Sequence, residues 1–115
     1  MSDEHAVFLN FVLTGDSFGH EAEREAIYVL EDQLEAVLEA AGSGECDGHE
    51  FGAGTATIYL YGPDAEALLR AIEPVLRTAD FPPTDAELRF GSVDDEDCRV
   101  EVVPFGKGDA SGRGL

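Results

Sequence analysis

The segment 55-TATIYLYGPDAEALLRAIEPVL-76 changes its hydrophobic period in the middle. Up to Tyr61 it alternates, with Ala56, Ile58 and Leu60 on one side and Thr57, Tyr59 and Tyr61 on the other. That is the period of two of a half-buried strand. After Gly62-Pro63-Asp64 the apolar residues recur at three and four: Leu68, Leu69, Ile72, Val75 and Leu76. That is one face of a helix. The turn between them predicts a helix start, with Pro63 at the first helical position and Asp64 in the first turn. Pro74 falls inside the helix, where a missing N–H should kink or break it. Pro82-Pro83 blocks any continuation.

Working outward, residues 6–13 read as a central strand, with Val7, Leu9, Phe11 and Leu13 on one face and Phe8, Asn10 and Val12 on the other. Residues 21–41 form the clearest helix, with Ile27, Leu30, Leu34, Val37, Leu38 and Ala41 in one stripe and Gly42 placed as its C-terminal cap. Residues 44–54 hold four glycines and read as an irregular strand entering a hairpin. Residues 87–90 and 99–103 read as two short strands around the acidic turn Asp94–Asp97, whose spacing does not match a calcium loop.

The order strand, helix, strand, strand, helix, strand, with one extra C-terminal strand, predicts an α+β chain. Its expected form is a ferredoxin-like two-layer α/β sandwich with a mainly antiparallel sheet. Residues 1–105 are expected to form one domain, and the glycine-rich residues 106–115 a disordered tail.

The stretch 44-GECDGHEFGAGTATIYLYGPDAEAL-68 resembles a segment shared by an uncharacterised family of small bacterial ferredoxin-like proteins. The likeness rests on Gly44-Glu45, Asp47-Gly48-His49-Glu50, Gly54 and Tyr61-Gly62-Pro63-Asp64-Ala65. It covers about a fifth of the chain and departs at Cys46, where an aromatic is expected. It implies the topology and transfers no activity and no site.

The chain has 115 residues and a formal net charge of −18. Nucleic acid and anionic membrane surfaces both demand clustered Lys and Arg, so neither is expected as a partner. No apolar run approaches the roughly 18–20 residues of a membrane span. With no secretory pattern, a cytoplasmic protein is expected. Cys46 and Cys98 form no metal framework and are expected as free thiols.

Three sets of residues are candidates for function. Asp16, His20, Asp47, His49 and Glu50 sit on elements meeting at one end of the predicted sheet. Two His among carboxylates suit a divalent metal or acid–base work. The spacing matches no metal signature, and with 25 acids any His gains carboxylate neighbours by chance. No cofactor is therefore expected, and a metal-dependent or acid–base enzyme is the alternative reading. The second set is the outer sheet face, with Phe8, Val12, Thr57, Tyr59 and Tyr61. Its aromatics would suit RNA stacking, but the charge opposes that. Homodimerisation is the expected use, with cover by the tail or a small-ligand sensor as alternatives.

The third set is the exposed side of the first helix. That helix carries seven acids and one base, Arg24. Glu21/Glu25, Glu31/Glu35 and Glu35/Glu39 are like-charge pairs four apart, each costing roughly 0.2–0.5 kcal/mol. The second helix instead spaces Glu66/Arg70 and Glu73/Arg77 favourably. Two explanations answer that cost. High salt would screen it, a halophile's adaptation that one Lys against six Arg also suits. Otherwise Glu25, Asp32, Glu35 and Glu39 dock a basic protein partner. The sequence thus reads as a non-enzymatic binding or regulatory module.

Overall fold

The computed structural model describes residues 4–14, 19–79, 81–91 and 99–105. Asp16, the acidic turn at 94–97, Cys98 and the tail at 106–115 lie outside the described residues. The elements run β1 (His5–Val12), α1 (Glu21–Ala41), β2 (Glu45–Gly52), β3 (Thr55–Gly62), α2 (Ala65–Thr78), β4 (Asp85–Arg89) and β5 (Val100–Pro104). The fold is α+β. One five-stranded sheet takes the order β2-β3-β1-β4-β5, every neighbouring pair antiparallel.

The sheet register explains the core. Ala86, Leu9, Ile58 and His49 form one cross-strand row, and Leu88, Val7, Leu60 and Cys46 another. The apolar members of both rows are buried, and they pack with Ile27, Leu30, Leu34 and Leu38 of α1 and Ala65, Leu68, Ile72 and Leu76 of α2. Each such leucine or isoleucine contributes roughly 1.5–3 kcal/mol by leaving water. Val37 is only partly buried and Ala41 is exposed, so the buried stripe of α1 is narrower than its sequence period suggests.

Local chemistry sets the helix ends. The Glu23 carboxylate accepts from the His20 backbone N–H at 2.9 Å, one arm of a capping box at the start of α1. Gly42 closes α1 with φ 66°, and Ser43 N–H reaches Leu38 O at 3.2 Å. At α2 the helix starts two residues later than the sequence predicts. Asp64 is the N-cap, accepting from Glu66 N–H at 3.0 Å, and Pro63 stands before it. Pro74 does not break α2, which continues to Thr78 with the proline on its exposed side. The turn from β2 to β3 is Ala53-Gly54, with φ of 55° and 80°. Positive φ at both positions matches the twist of a two-residue hairpin.

The strand β2 is not regular. Its register slips between Cys46 and Gly48, leaving Asp47 as a bulge. The bulge resets the alternation, so Cys46 and His49, three residues apart, both face the helices, and Gly48 and Glu50 face away. A bulged, charged β2 also blunts one exposed edge of the sheet.

Candidate functional site

The described members of the predicted His–carboxylate cluster do not come together. Asp16 is outside the described residues. His20 is the N-cap of α1. Asp47, His49 and Glu50 lie within β2, and adjacent His49 and Glu50 point to opposite faces. His49 instead meets Glu31, with Nδ1 at 2.8 Å from Oε1. Glu31 stands eleven residues along α1 from His20, about 16 Å at 1.5 Å per residue. One metal ion cannot join the two histidines. Among the described residues no group of three His, Cys, Asp or Glu side chains has the geometry to hold a metal.

What surrounds His49 is a packing contact between α1 and the sheet edge. Its ring lies 5.2 Å from those of both Tyr28 and Phe51. The Cys46 thiol approaches the second Glu31 oxygen at 3.8 Å. Burial, reinforced by Glu31 and Glu35, pushes that thiol up to about 12, so it stays protonated and a poor nucleophile at neutral pH. Glu31 is therefore a structural acid, distinct in role from its neighbours on α1. Sequence reasoning missed its pairing because the partners are 18 residues apart. It also missed His5, which stands at the start of β1. The His5 Nδ1 accepts from Ala65 N–H at 3.0 Å, helping to cap α2, and its ring sits edge-on to Phe90 at 5.7 Å.

The outer sheet face assembles as its register dictates. Phe8 meets Tyr59 edge-on at 5.1 Å and Tyr61 at 6.4 Å. The Arg89 guanidinium lies 5.5 Å from the Phe8 ring centre and pairs with Glu87. Tyr59 donates to Glu50 at 2.6 Å, and that hydrogen bond, with burial second, pushes its phenol up to about 12. Thr57 donates to Asn10 at 3.1 Å and Asn10 to Asp85 at 2.8 Å. Neither α1 nor α2 covers this side, and Val12 and Val102 are 60% and 61% exposed.

On α1, Glu25, Asp32, Glu35 and Glu39 are exposed and form no ion pair among the described residues. Glu23 and Glu31 by contrast are held by hydrogen bonds to other residues. On α2 the expected Glu73–Arg77 pair forms, whereas no Glu66–Arg70 pair occurs among the described residues. The two helices thus differ in structure as in sequence: α1 carries on its outer side a row of carboxylates that form no ion pair among the described residues.

Among the described residues no helix is long and apolar enough to cross a membrane. Comparisons of the chain with family models, with curated proteins and with solved structures found no match.

Proposed function

We propose that the chain is a non-enzymatic binding module that docks a basic protein through Glu25, Asp32, Glu35 and Glu39. The observation that carries this reading is the acidic row on α1, which forms no ion pair among the described residues, built at a local energetic cost on a helix that uses Glu23 and Glu31 structurally. Opposed charge along such a row speeds encounter and orients the partner. The strand order β2-β3-β1-β4, with two helices packed into one core, supports reading the domain as ferredoxin-like with β5 added, in line with the resemblance to small bacterial proteins. Within this reading it is one cytoplasmic domain with no cofactor and no nucleic-acid partner.

Thermal unfolding at 0.1 M and at about 2 M KCl tests the proposal against salt adaptation. The expected result is a stably folded chain at 0.1 M, gaining stability when the four acids become Gln. A chain that folds only in molar salt refutes the docking function, because the acids then serve hydration. A second reading, homodimerisation through the outer sheet face, is favoured by Phe8, Tyr59 and Tyr61 beside the exposed Val12 and Val102. Sedimentation at two concentrations checks it, and a monomer at both refutes it.

A further inference from the structure

Between α1 and the segment that follows α2 lies an open groove of about 350 Å³. Ala26, Val29 and Leu30 line it from one side, Thr78, Ala79 and Phe81 from the other. Val29 is 57% exposed there. The groove continues a pattern on α1 that the core does not use. Ala22, Ala26, Val29, Gln33, Ala36 and Ala40 follow alternate steps of four and three, the spacing of a helix–helix seam. All are exposed except Ala26, which is half-buried. Small side chains here let another backbone come close.

Glu25, Asp32 and Glu39 recur every seven residues immediately beside this seam, each one position before Ala26, Gln33 and Ala40. In a two-helix contact that flank is where interhelical ion pairs form. The opposite flank, Glu23, Leu30 and Val37, turns toward the protein, so only one flank is free to select a partner by charge. A second copy of this chain would bring the same acidic row against its own, at a net charge of −18 each.

We propose that the groove and seam of α1 receive a basic amphipathic helix from the partner protein. Its apolar stripe lies on Ala22, Ala26, Val29 and Ala36, and its Lys or Arg residues face Glu25, Asp32 and Glu39. The inference rests on the acidic-docking function and adds the shape of what docks.

The test uses the full chain and two labelled peptides of about three heptads. One carries Leu on a helical stripe among Lys and Gln, and the other is the same composition scrambled. Fluorescence anisotropy should give the patterned peptide an advantage of at least about tenfold. V29Q/A36Q, two exposed changes that alter no charge, should erase that advantage and leave the scrambled peptide's affinity unchanged. E25K/D32K/E39K should lose both peptides. Equal affinity of wild type for the two peptides overturns the groove and leaves acidic docking standing. No binding of either overturns both. An advantage that survives V29Q/A36Q overturns the groove as its source.

Discussion

Replacing Gly44 with alanine probes how the chain leaving α1 passes the end of β3. Gly44 has φ 154°, and a Cβ built on it would stand 2.2 Å from the Tyr61 carbonyl oxygen and 2.7 Å from Leu68 Cδ2. Neither neighbour has room to retreat. Tyr61 is paired with Ala6 on one side and Glu45 on the other, and Leu68 is fully buried. The backbone itself must lift. Strain at a disfavoured φ costs about 1–3 kcal/mol and forced overpacking about 1–3 kcal/mol, together on the order of 4 kcal/mol. That is a large part of the 5–15 kcal/mol that typically holds a domain folded. Gly42→Ala is the control. It also carries positive φ, 66°, but its Cβ would meet nothing within 4 Å, so only the conformational cost of about 1–2 kcal/mol applies. Gly62→Ala isolates the steric part, its Cβ falling 2.3 Å from Ser43 O. One lift of the connection relieves both clashes, so G44A/G62A should cost less than the sum of the two. Urea unfolding followed by far-UV circular dichroism reads all four. With m of about 2 kcal/mol/M, G44A should lower the midpoint by on the order of 2 M. A G44A midpoint no lower than that of G42A would refute the close approach of the connection to β3.

Two further predictions concern pH. The Glu23 carboxyl is held below its usual range chiefly by the His20 backbone N–H, with Thr14 adding bonds. Its stabilisation is therefore present above the unfolded pKa of about 4.3 and is lost as pH falls through the lower folded value. E23Q should melt below wild type at pH 7, and the gap should narrow as pH falls below the ordinary carboxylate range; a constant gap contradicts the linkage. Tyr59 titrates the other way. Its folded pKa of about 12 lies above the usual 10, so the unfolded chain releases the phenolic proton first and stability falls as pH rises from 10 to 12. Y59F should flatten that fall; burial also raises the Tyr61 phenol, so an ultraviolet titration should find both tyrosines ionising late and lose its last component in Y59F. A Y59F profile parallel to wild type means the Glu50 bond does not form.

Local patterns in the sequence carried much of the fold. The alternation of β1 and β3 follows from the pleat, and the α1 stripe from the helical repeat. Gly42 ends α1 because glycine enters the left-handed region without steric cost. The acidic row on α1 was legible for the same reason, since residues at spacings of three, four and seven share one side of any helix. Charge and helical spacing together put Glu25, Asp32, Glu35 and Glu39 on one surface before any tertiary contact was known.

The loop cluster failed where locality ends. Strict alternation puts Asp47 and His49 on one face of β2, but the bulge at Asp47 turns His49 to α1 and leaves Cys46 beside it. A bulge is settled by how β2 pairs with β3, which the residues of β2 alone do not encode. His5 capping Ala65 across 60 residues, and Glu31 receiving His49, likewise depend on which elements the core brings together. The sequence by itself determined the elements, their buried faces and the charged side of α1, because each is a property of neighbouring residues. Only the tertiary structure decided which titratable groups meet and where α1 leaves a groove, because those depend on register and packing between segments distant in the chain.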